Sequence, residues 1–94
     1  MISVTRKGGD DPLSFEVVVD DQRSKTRHQV TTAHDLYARL TQGKCGPEAF
    51  IEAAFRFLLD REPKESILRR FDASVIAQYF PEFERELPRY LRGR

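Results

Sequence analysis

Residues 46–63 have the sequence GPEAFIEAAFRFLLDREP, and this is the one stretch whose start, apolar face and end are all visible without structural help. Gly46 and Pro47 predict a helix N-cap and first helical position, because a proline there has no amide hydrogen to leave unpaired. Pro63 disfavours helical geometry at the residue before it. We therefore predict a central helix that begins at Pro47 and ends near residues 60–62.

One broad face of this helix is apolar. At about 100° per residue, its apolar side chains fall within about half of the helical wheel, and charged residues occupy the other side. The apolar residues are Phe50, Ile51, Ala54, Phe55, Phe57 and Leu58, and the charged ones are Glu48, Glu52, Arg56 and Asp60. A helix of this kind buries its apolar face, so we expect the rest of the chain to fold around it.

Length and composition are those of one globular domain, which we assign to residues 1–94. Sixteen Lys and Arg against fifteen Asp and Glu give a formal charge of +1, too balanced for phosphate binding by the chain as a whole. The single cysteine excludes an internal disulfide, and the N-terminus lacks a secretion-signal pattern, so we expect a cytoplasmic protein. No apolar run approaches the roughly 20 residues that span a bilayer, so no membrane partner is expected.

The first third of the chain alternates between apolar and polar residues, which is typical of β-strands. The alternating runs are residues 2–5, 13–19 and 23–31, and the loops between them are residues 7–12 and 20–22. Two hairpin connections in succession predict a three-stranded antiparallel meander over residues 1–31, with the second strand in the centre. The third strand carries Lys25 and Arg27, and it is polar enough to be an edge of the sheet.

Residues 32–91 carry helical patterns and form the helical part of the domain. The first predicted helix has Thr32 as its N-cap, and the central helix follows it. The third begins at Pro63 and carries Ile67, Leu68 and Phe71 on one side. The fourth is capped by Asp72, and the fifth begins at Pro81. Pro88 is expected to break or kink the last helix, before a tail of residues 89–94. Strands first and about five helices afterwards predict an α+β fold with the helices packed on one face of the sheet.

Cys45 offers the sharpest indication of enzymatic chemistry, because the dipole of a following helix can lower the pKa of a thiol. The residues Cys45-Gly46-Pro47-Glu48 resemble the Cys-Gly-Pro-Cys redox motif of the thioredoxin family, and this resemblance implies a nucleophilic thiol at Cys45. Glu48 replaces the second cysteine, which excludes dithiol exchange. No phosphate-binding glycine loop or serine elbow is present, so we predict no catalytic residue and no cofactor, and we expect that the protein is not an enzyme.

A meander also returns His34 and Asp35 to the sheet end that carries Asp10 and Asp11. Three carboxylates and an imidazole at one place can bind a metal ion, but turns are also rich in aspartate for backbone reasons. The spacing matches no zinc pattern, and we assign no metal ligand.

Eight of the ten aromatic residues lie between Phe50 and Tyr90, in a segment of short helices. Short helices take their stability from packing, so most of these rings are expected to fill the core. The core candidates are Phe50, Phe55, Phe57, Phe71, Phe80 and Phe83. Aromatics in excess of what one core needs form exposed patches that bind partners. We predict an interaction surface at Leu59, Tyr79, Phe83 and Tyr90, so that Phe83 has two alternative assignments.

A basic strip at Arg23, Lys25 and Arg27 on the third strand is the feature best suited to nucleic acid, and the C-terminal residues Arg89, Arg92 and Arg94 add to it. No aromatic residue interleaves with the strip, so base stacking has no platform, and a solvated edge strand explains the same charges. The leading hypothesis is therefore a small accessory or regulatory protein that binds an unknown protein partner, or itself as a homodimer, through its C-terminal half. A nucleic-acid-binding regulator is the alternative.

Overall fold

One four-stranded sheet and four helices make up the computed structural model, which describes residues 1–92. The strands are β1 (Ile2–Gly8), β2 (Leu13–Asp20), β3 (Lys25–Thr32) and β4 (Arg70–Asp72), and they lie in this spatial order. The helices are α1 (His34–Thr41), α2 (Pro47–Leu59), α3 (Ser74–Tyr79) and α4 (Phe83–Arg92), and a 3-10 turn covers Lys64–Ser66. The predicted α+β class is confirmed.

The first three strands form the predicted antiparallel meander with β2 in its centre. Val19 of β2 pairs with Ile2 of β1, and Val17 of β2 pairs with His28 of β3. Alternate residues of β2 are fully buried beneath the helices, and these are Leu13, Phe15, Val17 and Val19. The period of two in the sequence therefore marks the buried face correctly.

The predicted helix begun by Pro63 is wrong. Only Lys64–Ser66 is helical there, and Arg70–Asp72 then pairs in parallel with residues 29–31 of β3. The sheet is therefore mixed and has four strands, and β3 is not an edge along this part of its length. The reason is that β3 offers unpaired backbone groups: Gln29 N–H donates to the Arg69 carbonyl, and Ala73 N–H donates to the Thr31 carbonyl. Residues in a local helix cannot make these bonds.

Two helix boundaries also differ from prediction. Thr32 is the last residue of β3 rather than an N-cap, and α1 instead has Ala33 at that position, without a side-chain cap. Pro88 lies inside α4, so residues 89–92 are helical rather than a tail, and Arg94 lies outside the described residues. The helix continues past Pro88 because Leu87 is buried in the core and Tyr90 packs against it.

Phe57 of α2 lies at the centre of the packing between α2 and α4. All six apolar residues predicted for the face of α2 are buried, as expected. The Phe57 ring contacts the rings of Phe83 and Tyr90, at centroid distances of 5.0 and 5.7 Å. The Arg61 guanidinium covers the same ring at 3.7 Å and forms an ion pair with Glu82 at 2.9 Å. One phenylalanine thus joins α2 to both ends of α4.

We predict that Phe57→Ala lowers the free energy of unfolding by about 3–5 kcal/mol, because it leaves a cavity beneath the rings of Phe80, Phe83 and Tyr90. Tyr79→Ala is the control, since Tyr79 is exposed and its loss should cost no more than about 0.5 kcal/mol. Urea denaturation followed by circular dichroism measures both values. Equal losses for the two variants would contradict the assigned core.

Candidate functional site: an apolar groove beside Tyr79

An apolar groove of about 270 Å³ lies between the 3-10 turn, β4 and α3. Ile67 and Ile76 are buried at its base, and Phe71 contributes to its wall. Leu68 and Tyr79 form its rim with exposed fractions of 48% and 68%. Within residues 1–92 only Met1 is a further large hydrophobic residue exposed to this degree. Two of the three exposed hydrophobic residues therefore border one groove.

The extended backbone after the 3-10 turn places Leu68 at the surface. Ile67 has extended dihedral angles and points into the core. Successive side chains of an extended chain point in opposite directions, so Leu68 is directed outward. Its backbone carbonyl accepts a hydrogen bond of 2.7 Å from Nδ1 of His28, a residue of β3. The position of Leu68 is thus fixed by the sheet and not by its own side chain.

The other wall of the groove is also anchored to β3. The Thr31 hydroxyl donates to Oδ1 of Asp72 at 2.6 Å, and Oδ2 of Asp72 accepts the Ser74 amide at 3.1 Å. The second bond reaches the first residue of α3, but the N-cap of this helix is Ala73, without a side-chain cap, so Asp72 lies one residue before the cap position predicted for it. β3 therefore positions the start of α3, and through it Tyr79 at the end of that helix.

His28 is completely buried and acts as a structural histidine. Its Nδ1–H donates to the Leu68 carbonyl, so Nε2 accepts from the Thr26 hydroxyl at 2.8 Å. The ring also packs edge-on against Phe55. Burial lowers the pKa of His28, although its hydrogen bond to the Leu68 carbonyl acts in the opposite direction. The neutral imidazole is therefore the form that the fold prefers.

Stability should fall as the pH decreases below about 6.5, the pKa of an unperturbed histidine. The unfolded chain then takes up a proton at His28 that the folded chain resists, and the loss continues down to the lower pKa of the folded state. His28→Gln should be less stable at about pH 8 and should lack this part of the pH dependence. Urea denaturation between about pH 8 and pH 5.5 tests this, with the exposed His34→Gln as control. A pH dependence that His34→Gln removes and His28→Gln retains would refute the assignment.

Glu62 contributes a partly buried carboxylate to one wall of the groove. Among residues 1–92, its side chain forms no hydrogen bond or ion pair. Glu62 also borders a second hollow, whose other carboxylates belong to Asp20, Asp21, Glu52 and Glu65. The side-chain cations of that hollow are already paired: Arg56 with Glu52, and Lys64 with both Asp21 and Glu65. The surface beside the apolar groove is therefore acidic.

Lys64 connects the 3-10 turn to the turn between β2 and β3. Its side chain is 5% exposed, and its ammonium group lies 2.7 Å from the carboxylates of both Asp21 and Glu65. These hydrogen bonds, first the one to Asp21 and then the one to Glu65, raise the pKa of Lys64. The same contact holds the pKa of Asp21 well below its usual range. Lys64 therefore fixes the chain that leads into the groove, and its buried side chain is not accessible to a ligand.

The four residues of the predicted interaction surface do not lie together. Tyr79 is on the rim of the apolar groove, whereas Leu59 is partly buried and borders the acidic hollow. Tyr90 is partly buried, and its hydroxyl donates to Asp60. Phe83 is only 1% exposed, so its assignment to the surface is corrected: its ring is covered by Phe57. Sequence reasoning missed Leu68 and Glu62.

The basic strip lies on the opposite side of the sheet from the helices. Lys25 and Arg27 are exposed there, whereas Arg23 precedes the strand and lies in the turn. Arg27 forms an ion pair with Glu16 at 3.2 Å. The aromatic residues of the strands, Phe15 and Phe71, both lie on the helix side. This face therefore offers cations without stacking platforms.

Cys45 precedes the N-cap of α2, as predicted, but its thiol lacks the features of a reactive one. The side chain is partly buried, and this burial raises the pKa of Cys45. Its backbone carbonyl accepts a hydrogen bond from the Tyr37 hydroxyl, which attaches the loop to α1. The structure thus gives Cys45 a place in the loop and does not support the activation that the thioredoxin resemblance implies.

We predict that Cys45 reacts with iodoacetamide more slowly in the folded protein than in the urea-unfolded chain. The midpoint of its pH–rate profile should also be higher in the folded protein, because burial disfavours the thiolate. Alkylation followed by mass spectrometry measures both quantities. A lower midpoint in the folded protein would instead indicate an activated thiol.

Asp11 and His34 meet at one end of the sheet, as the meander predicts. Oδ1 of Asp11 accepts a hydrogen bond from the backbone amide of His34 at 3.2 Å. Across residues 1–92, however, no three His, Cys, Asp or Glu side chains are arranged to hold a metal ion. The aspartate at this position therefore serves the backbone of the turn.

Comparison with protein-family models, curated proteins and solved structures found no match to this chain. None of the helices within residues 1–92 has both the length and the apolar character needed to cross a membrane.

Proposed function

We propose that this protein is a small accessory or regulatory protein that acts by binding a protein surface in its apolar groove. The observation that supports this proposal is the position of Leu68 and Tyr79, both exposed and both on the rim of the same hollow. Single exposed apolar residues are ordinary, but a contiguous apolar patch with a polar surround is typical of a binding site. Covering it stabilises a complex by about 25 cal/mol per Å² of apolar surface.

The charge of the groove defines the chemistry of the occupant. Glu62 is partly removed from water and has no partner among the described residues, so a Lys or Arg of the occupant can form an ion pair with it. The adjacent acidic hollow repels an acidic occupant. We therefore propose a partner surface that carries an aliphatic or aromatic side chain directly beside a basic residue.

Tyr79 is the expected anchor of this interaction. A tyrosine combines a large apolar ring with a hydroxyl group and loses little conformational entropy on binding. The groove supplies the shape, because its base of Ile67 and Ile76 is already packed and does not need to reorganise. This proposal assigns a binding role to the site and retains the expectation that the protein is not an enzyme.

Nucleic-acid binding by Lys25 and Arg27 is the second proposal, and it has weaker support. The positive charge of Arg27 is offset by Glu16, and the surrounding face lacks aromatic side chains among the described residues. The groove has both an apolar surface and an unpaired charge, which is why we prefer it.

Selection of a random peptide library on the immobilised protein tests the proposed function. We expect enriched peptides to share an apolar residue next to Lys or Arg, and the Tyr79→Glu variant to enrich none of them. Glu62→Gln should retain the apolar preference and lose the basic one, because it removes the charge without changing the shape of the wall.

Lys25→Glu is the matched control, since this exposed residue lies on the other side of the sheet and should leave the selection unchanged. A selection without a consensus would refute the proposal, as would one with the same consensus for the protein and for Tyr79→Glu.

A further inference from the structure

β1 lies at one edge of the sheet and is paired on one side, by β2. Met1 and Asp20 exchange two hydrogen bonds through their main-chain atoms across this pair of strands. Bonded and non-bonded pairs alternate along an antiparallel ladder, so every second residue of β1 directs its backbone N–H and C=O groups away from β2. These residues are Ile2, Val4 and Arg6. Among residues 1–92 their outward backbone groups have no hydrogen-bond partner.

The same positions of β1 carry apolar side chains on the helix side of the sheet. Ile2 pairs with Val19 and Val4 pairs with Val17, and both of these partners in β2 are buried. Ile2 and Val4 also pack against the core, but they remain partly exposed. An edge strand has no neighbouring strand to cover the outer side of such residues. The edge of β1 therefore combines unpaired backbone groups with partly uncovered apolar side chains.

We propose that this edge pairs with β1 of a second copy of the chain, in a two-fold symmetric antiparallel dimer with one continuous sheet. A register shift after Arg6 limits the regular part of the strand to residues 2–6. Antiparallel pairing of this stretch with itself places its middle residue, Val4, on the two-fold axis. The outward backbone groups of Val4 then bond to those of Val4 in the second copy, and the groups of Ile2 bond to those of Arg6.

The side chains support a second copy as the occupant, because they match one another in this register. On the helix side, Val4 packs against its own copy and Ile2 lies against the aliphatic part of Arg6. On the other face, Ser3 lies directly opposite Thr5, and hydroxyl pairs of this kind are favourable across strands. A pairing centred on Arg6 would place two arginines opposite each other, so the charge at the end of the strand disfavours that slip.

The strand is ordered before it pairs, since β2 already holds it in an extended conformation. An ordered segment loses little conformational entropy when it docks. Because the paired stretch is short, the interface is small beside the roughly 1,200–2,000 Å² that stable complexes bury, and the dimer should dissociate on dilution. This surface is separate from the apolar groove, so the inference does not rest on the proposed function.

Light scattering after size-exclusion chromatography, over a range of concentrations, tests the proposal. At high concentration we expect a mass close to twice 10.9 kDa. Val4→Lys and Val4→Glu should each be monomeric, because the two-fold axis places the introduced charge opposite its own copy. An equimolar mixture of the two variants should regain the dimer mass, since opposite charges then face each other.

Val4→Pro separates the loss of pairing from the loss of folding. The Val4 N–H points away from β2, so a proline at this position removes no hydrogen bond from the ladder of the monomer. We expect a monomer that is folded by circular dichroism. Thr5→Pro is the matched variant for backbone direction, because it removes a bond to β2, and it should melt at a lower temperature than Val4→Pro.

Val18→Lys is the matched control for the introduced charge. Val18 is a partly exposed residue of β2 on the face away from the helices, one strand in from the edge, and this variant should remain dimeric. Tyr79→Glu, which alters the groove, should also remain dimeric. Circular dichroism melting checks that each variant is folded.

A monomer at every concentration would overturn the second-copy proposal, as would a mixture of Val4→Lys and Val4→Glu that stays monomeric or a Val4→Pro variant that stays dimeric. A monomeric Tyr79→Glu would also overturn it, because the contact between copies would then involve the groove. Library peptides that Tyr79→Glu retains and Val4→Pro loses would assign the edge to a foreign strand instead. The selection of apolar-basic peptides by the groove does not depend on the dimer, so failure of this inference and failure of the proposed function are distinguishable.

Discussion

Burial of the wide apolar face of α2 is the constraint on which the rest of the structure depends. This face is too broad for the sheet alone to cover, because Phe55 and Phe57 lie about 160° apart around the helix. Phe55 packs against His28 and Phe71 of the sheet, whereas Phe57 packs against Phe83 of α4. The strands cover one part of it, and α4 covers the other through Phe83. The width of this apolar face thus explains why the sheet and α4 both pack against α2. It also explains why α4 continues through Pro88.

The groove is a consequence of how the chain returns from α2 to the sheet. After α2 the backbone must reach the free side of β3, and Lys64 and Ile67 hold the crossing in place. His28 then fixes the next residue by its carbonyl, so the side chain of Leu68 is left outside the core. The structural histidine and the exposed leucine therefore have the same cause: β3 binds this segment through its backbone.

Local signals explain which parts of the fold were predictable from sequence. The cap and proline of α2 and the alternation of β2 act within a few residues, and both predictions are confirmed. β4 depends on backbone bonds to a strand about forty residues away, and Ile67, Leu68 and Phe71 fit a helix equally well. Phe83 and Tyr79 lie in similar short stretches of sequence. Phe83 is buried only because α4 packs across Phe57, whereas Tyr79 stays exposed. For the same reason, the sequence pattern did not predict that Leu68 and Glu62 border the groove.

Packing does not account for the side chains on the rim of the groove. The backbone of Leu68 is held by His28, and Tyr79 extends from α3 into solvent, so polar residues at both positions would leave the core contacts intact. Apolar side chains there add exposed surface that favours association and contribute little to the stability of the monomer. The unpaired Glu62 adds a partly desolvated charge at the same place. The groove thus adds little to the stability of the isolated fold and holds a partly desolvated charge, and both features favour the binding role proposed for it.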